Sequence, residues 1–292
     1  MSNNTLRLLM PQWQGGNNAA YHFGAQLLSW LAPEHHGVTE TVPVSPPQDI
    51  LEDDSLVLEE GLVARRALLE QIASAKTIIQ QHQPERIVTL GGDCLVSLAP
   101  FAYLNQYYQG DVAVLWIDAH PDLNIPQHFS HGHAMVLGNL LGEGDPDFVK
   151  HVELPFLARR VIYAGLSGGE PYEMAEIERL GLSSISSVEL VESTDRLLNW
   201  FQNTGAKHLV IHLDLDVLDP HWFRSLLFAR PVPEGEVALP GVPHGKLRIE
   251  TLLSMLGSLS KIADIVGITI AEHTPWDAIA LKQMLEKLPL MR

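Results

Sequence analysis

Three short stretches of this chain concentrate residues able to do metal or acid–base chemistry. They are "GGDC" (91–94), "DAHPD" (118–122) and "DLDVLDP" (214–220). Each follows directly on an apolar, strand-like run: "RIVTLGGDC", "VAVLWIDAHPDLN" and "HLVIHLDLDVLDP". On a strand, residues i and i+2 share a face, so Asp118 can converge with His120, and Asp214 with Asp216. Asp122 follows Pro121 and can curl back over the same place. Carboxylates crowded at a strand end repel one another unless positive charge sits among them. Four aspartates and a histidine, with Cys94 nearby, make a nest for divalent cations, and bridging carboxylates can hold two ions about 3.5–4 Å apart. Asp219, before Pro220, reads instead as a turn or helix cap.

Strand-like runs recur along the chain at 6–12, 86–93, 112–120, 159–167, 207–216 and 265–273. Several are continuously apolar, as parallel strands covered on both faces are. Amphipathic stretches at 62–82 and 249–263 lie between them. This alternation predicts an α/β fold of three layers, a mostly parallel sheet with helices on both faces. No repeat, low-complexity tract or linker divides the chain, so residues 1–292 are expected to form a single domain. Two Pro-rich segments, 41–50 and 228–245, read as long surface loops of the kind that often carry function. In such sheets ligands bind beyond the carboxyl ends of the strands, where the three polar clusters fall.

The formal net charge of −16, from 35 acidic and 19 basic residues, argues against nucleic acid or anionic membrane as partners. It favours a cationic small molecule or metal ions. The one cysteine excludes an internal disulfide and fits a reducing compartment. The opening "MSNNTLRLLMPQWQGG" lacks the order of a signal peptide. No apolar run reaches the ~18–20 residues that span a bilayer. A cytoplasmic protein is the expectation.

Taken together, "GGDC", "DAHPD" and "DLDVLDP" resemble the arginase–agmatinase–formiminoglutamase (ureohydrolase) family, whose patterns are Gly-Gly-Asp-His, Asp-Ala-His-x-Asp and x-Asp-x-Asp-x-x-Asp-Pro. The resemblance runs from about residue 60 to the C-terminus. It implies the arginase-like α/β fold and two divalent ions, Mn²⁺ in the family, that activate a bridging water. The resulting hydroxide attacks a guanidinium carbon and releases urea and an amine. By motif position, Asp118 and Asp214 bridge the ions, His120 and Asp216 complete one site, and Asp122 with Cys94 completes the other. His133 in "SHGHAMVLGN" matches a family histidine that acts as general acid/base or proton shuttle. Asp122 is a second candidate proton donor to the departing amine. Glu272 in "ITIAEHTP" matches a glutamate that pairs with the substrate guanidinium. The resemblance also implies a homo-oligomer, trimer or hexamer.

The chain departs from the pattern at two places. Cys94 stands where the family has a histidine ligand. A thiolate there would shift selectivity from Mn²⁺ toward softer metals such as Zn²⁺, Fe²⁺, Co²⁺ or Ni²⁺, and an Nω-hydroxyguanidine becomes an alternative substrate to a plain guanidine. The loop after Asp122, "LNIPQHFSHGHAM", also differs. In it Asn124 keeps a family-like position for a substrate carboxylate, and His128 and His131 compete with His133 for the shuttle role. Glu170 in "GLSGGEPYE" falls where arginases carry an acidic contact to the substrate amino group. Two rival readings stand beside the hydrolase. "GLSGG" (165–169) matches the Gly-x-Ser-x-Gly nucleophile elbow, and a metal-deficient, non-catalytic homologue would serve as a partner subunit.

Overall fold

The computed structural model describes residues 4–48 and 56–289. Eight strands form one sheet: β1 Thr5–Met10, β2 Val38–Thr41, β3 Arg86–Gly91, β4 Val112–Ile117, β5 Val161–Ala164, β6 Ser183–Ile185, β7 His208–Asp214 and β8 Asp264–Ala271. Their order across the sheet is β2-β1-β3-β8-β7-β4-β5-β6, and every neighbouring pair is parallel. A parallel pair needs a crossover, so the connections between strands supply the helices that cover the sheet.

Period-two alternation builds the two faces. Val112, Val114 and Trp116 of β4 join one core with Leu68, Ile72 and Ile79 of the helix Arg65–His82 and Phe101 of the helix Leu98–Tyr107. Ala113, Leu115 and Ile117 join the other, with Leu197 and Phe201 of the helix Asp195–Thr204 and Met255 and Leu259 of the helix Ile249–Leu259. The expected three layers are present. Among the described residues no helix is long and apolar enough to cross a membrane.

All six strand-like runs form strands, though most stop short of the residues expected. β3 ends at Gly91, and the next residue, Gly92, lies so close to Gln12 that a Cβ would meet the Gln12 carbonyl oxygen at 1.7 Å. β5 ends at Ala164, before Gly165 turns through φ +91°. The helix expected over 62–82 begins at Arg65, because Leu62–Val63 pair with Leu58–Glu59 and Ala64 is left-handed at φ 53°. The segment expected as a loop over 41–50 opens on the last residue of β2; its residues 49 and 50 lie outside the described residues. The 228–245 loop holds no strand and no helix beyond the single turn Leu227–Ala229.

Because all the strands run the same way, their carboxyl ends lie along one edge. The four central neighbours β3, β8, β7 and β4 end respectively in Asp93–Cys94, Glu272, Asp214–Asp216 and Asp118–Asp122. Residues far apart in sequence are thereby brought to one place.

Candidate metal centre

The residues expected to gather do gather. Ligand atoms of Cys94, Asp118, Asp122 and His212 all lie within 4.8 Å of one another, as do those of Asp118, His120 and Asp216. Asp118 belongs to both groups. Asp214, Asp216 and Glu272 form a third such group, and Cys94, His133 and Glu272 a fourth. Asp214 stands between them: its Oδ2 accepts from Cys94 Sγ at 2.8 Å and its Oδ1 from the Asp216 amide at 2.7 Å.

Local backbone chemistry holds each group in place. Asp93, the acid of "GGDC", does not join the clusters. Its Oδ2 accepts from the amides of Gly15 and Gly16, at 2.9 and 3.3 Å, and its Oδ1 caps Leu95 N at 3.1 Å. It thus pins the loop after β1 to the loop that carries Cys94. Asp122 adopts φ 53°, a left-handed turn uncommon outside glycine, asparagine and aspartate. The loop beyond it is fastened by Asn124 N to Ala134 O (2.8 Å) and Gly138 N to Asp122 O (3.1 Å). His120 Nε2 donates to the Pro243 carbonyl at 2.9 Å, which leaves Nδ1 facing Asp216 Oδ2 at 3.0 Å. The long 228–245 loop therefore orients a site histidine. Asp219 plays the turn role expected of it, its Oδ1 accepting from His221 N at 2.8 Å.

The electrostatics are those of an under-neutralised cluster. Burial raises the carboxyl pKa values of Asp118, Asp122 and Asp214 well above the ordinary range, and neighbouring carboxylates raise them further. Burial, then Asp214 and Glu272, raise the Cys94 thiol in the same way. Asp216 goes the other way. Burial acts to raise it, but the charge and hydrogen bond of His120 outweigh that and lower it. His120 is itself pushed up to about 10: burial lowers it, and Asp216 more than reverses the effect. His120 and Asp216 thus form a mutually stabilised ion pair within the cluster.

Two residues that sequence reasoning passed over complete the surroundings. Tyr21, on the helix Ala20–Leu31, donates its hydroxyl to Glu272 Oε2 at 2.5 Å. His133 Nδ1 meets Glu272 Oε1 at 3.0 Å, so both carboxylate oxygens are held. Glu272 has φ 63°, another left-handed residue at the site. His212 lies fully buried on β7, two residues before Asp214. No local signal marks Tyr21, and His212 within "HLVIHLDLD" reads as an ordinary strand residue; only the fold shows where each side chain ends.

The weaker candidates separate. Asn124 is buried, with Oδ1 lacking a hydrogen-bond partner. Glu170 is exposed and precedes the helix Pro171–Leu180 as its cap, its amide donating to Glu173 Oε2 at 3.0 Å. Glu173 is the buried acid of that segment, accepting from Leu123 N at 3.1 Å. His128 stacks on Tyr172, with ring centroids 4.5 Å apart. The His131 ring lies 6.2 Å from that of His133. The "GLSGG" segment does not form a nucleophile elbow: its strand ends at Ala164, the next helix starts at Pro171, and Ser167 Oγ turns back to the Gly165 carbonyl at 3.4 Å.

The donor set suits metal. It mixes carboxylate, imidazole and thiol, and two of its buried atoms, Asp122 Oδ2 and His212 Nε2, have no hydrogen-bond partner. A parallel α/β sheet with such a cluster at its central strand ends is a scaffold whose side chains could hold metal ions at the sheet edge.

Comparison with known proteins places it further. A profile of the arginase family matches residues 30–235. The chain is 23% identical to an arginase of Entamoeba histolytica over 92% of its own length and 90% of the relative's. It is 25% identical to the mitochondrial arginase 1 of Arabidopsis thaliana, over 90% of this chain and 65% of that one. The solved Entamoeba histolytica arginase, in complex with L-ornithine, superposes with a TM-score of 0.75 at 18% identity, covering 97% of this chain and 98% of the other. The chain belongs to the arginase family, and with it to the metal-dependent hydrolases of linear amidine C–N bonds.

Proposed function

We propose that this protein hydrolyses a guanidino or hydroxyguanidino compound, releasing urea or hydroxyurea and an amine, at a centre of two divalent ions. The observation that carries the reading is the convergence of Cys94, Asp118, His120, Asp122, Asp214 and Asp216 at the ends of β3, β4 and β7, with Asp118 common to two ligand groups. His120 and Asp216 would hold one ion, Cys94 and Asp122 the other, with Asp118 and Asp214 between them. Bound divalent cations would neutralise the cluster and lower the pKa of a shared water to the neutral range. Mn²⁺ is the family expectation, and the Cys94 sulfur favours a softer ion.

The remaining roles fall to groups that need no metal. Glu272, its two oxygens held by Tyr21 and His133, offers a fixed carboxylate for a planar guanidinium. A carboxylate held from both sides has little freedom left to lose when substrate binds. His133, partly exposed beside it, would give a proton to the leaving amine. Asn124, buried with an unpaired Oδ1, is a candidate contact for the rest of the substrate. The net charge of −16 draws in a cation. A small amino-acid-like cation is the substrate class of choice, in keeping with the ornithine bound by the Entamoeba histolytica arginase.

The test is one screen on purified protein. Release of urea or hydroxyurea is measured from arginine, Nω-hydroxyarginine, agmatine and guanidino acids, with Mn²⁺, Co²⁺, Ni²⁺ or Zn²⁺ added. Two ions per chain and chelator-sensitive turnover of at least one compound are expected. Absence of bound metal and of turnover throughout would establish the non-catalytic partner instead.

A further inference from the structure

His212 is the one histidine of the cluster that the family pattern does not call for, and its setting is not that of a core residue. Its side chain is fully buried on the same face of β7 as Asp214. The ring is stacked on Trp116, with centroids 3.8 Å apart and planes within 10°, and the two residues are register partners across β7 and β4. Nδ1 lies 2.8 Å from Ser97 Oγ. Nε2 has no hydrogen-bond partner, and it sits 3.7 Å from Asp118 Oδ2. A buried ring nitrogen left without a partner calls for an explanation, and here it is directed at an acidic cluster.

We infer that His212 is a metal ligand through Nε2, replacing from β7, two strands across the sheet, the imidazole that Cys94 removes, so that one ion is held by Cys94, His212, Asp118 and Asp122. This rests on the two-metal reading above. The four ligand atoms lie within 4.8 Å of one another. Two ligands of a tetrahedral ion with bonds of about 2.0–2.1 Å stand about 3.4 Å apart, close to the 3.7 Å found between His212 and Asp118. Ligating histidines donate their other ring N–H to a partner that fixes the tautomer. Ser97 Oγ fills that place, accepting from Nδ1–H and leaving the Nε2 lone pair toward the ion. One sulfur, one nitrogen and two carboxylate oxygens form a set for Zn²⁺ or Co²⁺ rather than Mn²⁺.

Cobalt tests this without reference to turnover. Chelator-treated full-length protein is titrated with Co²⁺, and the thiolate-to-cobalt charge-transfer band reports the ion held by Cys94. His212→Gln, which keeps bulk but offers no imidazole, should weaken that ion by more than about 100-fold. Ser97→Ala should weaken it by about 10–100-fold, as loss of an outer partner does. To show the ligand directly, His120→Ala removes the imidazole proposed for the other ion; X-ray absorption should then find one sulfur and one imidazole on cobalt, and His212→Gln added to it should remove the imidazole, whereas an imidazole supplied by His133 would persist. Circular dichroism of each variant checks the fold, and His212→Asn serves if His212→Gln does not fold. An imidazole that survives the His212 change, or a titration unmoved by it, overturns the inference and leaves the metal centre standing. A wild-type protein that takes up Co²⁺ with no thiolate band, or takes up none, overturns the inference at its root; uptake of none also sinks the two-metal reading.

Discussion

Two groups of buried charge stand in contrast. At the strand ends, Asp118, Asp122, Asp214, Asp216, Glu272 and Cys94 are all buried, with two partly exposed histidines, His120 and His133, as the nearest basic groups apart from His212. Beside the helix Arg65–His82, Arg65 meets Asp145 through paired bonds of 2.9 and 2.7 Å, and its Nη2 also reaches Asp147 at 2.7 Å. The second group carries its own counter-charge and fastens the first turn of that helix to the segment around the helix Pro146–Val149. The first lacks it. A protein that can neutralise buried acids with arginine, and does so at Arg65, has left the strand ends short of positive charge. The difference separates a contact whose charges are paired within the fold from a cluster whose acids outnumber the basic groups beside them.

The sharpest way to break this contrast is Asp118→Ala. Loss of both ions and of turnover is expected, because Asp118 belongs to two ligand groups; metal content and urea release measured together check it, and full activity would dismiss the assignment. The milder Asp118→Asn should leave the metal-free protein no less stable than metal-free wild type, since it removes a carboxylate that burial and Asp216 already disfavour. Denaturant unfolding with chelator present measures this. The opposite is expected of Asp145→Ala. Removing one partner of a buried pair costs about 3–5 kcal/mol, and metal content of the folded fraction should be unchanged.

Cys94→His should turn the metal preference toward Mn²⁺, read from competitive loading of Mn²⁺ against Zn²⁺ or Co²⁺. An unchanged preference would mark Cys94 as a core thiol. The smallest effect concerns pH. The Arg65 and Lys150 hydrogen bonds hold the Asp147 carboxyl down at about 2, against an ordinary value of 3.8. A depressed folded pKa contributes stability above the unfolded value that is lost as pH falls toward the folded one. Wild type should therefore lose this part of its stability between pH about 4 and about 2. Asp147→Asn should flatten that part of the profile in acid unfolding scans.

Much of the fold was legible because β4 and β7 are apolar almost throughout and end abruptly in acids. That pattern survives in sequence whatever the surroundings. The edge strand Val38–Thr41 was not legible: it pairs only with β1, most of its residues are exposed, and "VTET" carries no burial signal. At the site, Asp118 and His120, like Asp214 and Asp216, could be paired from local spacing alone. Glu272 rested on family likeness, since nothing in "ITIAEHTP" says which strands flank β8. Tyr21 and His212 could not be read at all. Their roles come from strand order and register, as when Trp116 and His212 meet only because β7 returns between β8 and β4.

The hydrogen bond from Tyr21 to Glu272 joins residues 251 positions apart. Contacts of such separation are among the last a chain can close, since loop closure must precede any reward from them. During synthesis, every aspartate of the cluster emerges before Glu272 does, and the strand that seats Glu272 must then insert between β3 and β7. A nascent chain can thus possess every aspartate of the cluster and still lack Glu272 and the bonds that hold it. The clamp that ties the helix Ala20–Leu31 to β8 makes the completed cluster a property of the finished fold, withheld until β8 is in place.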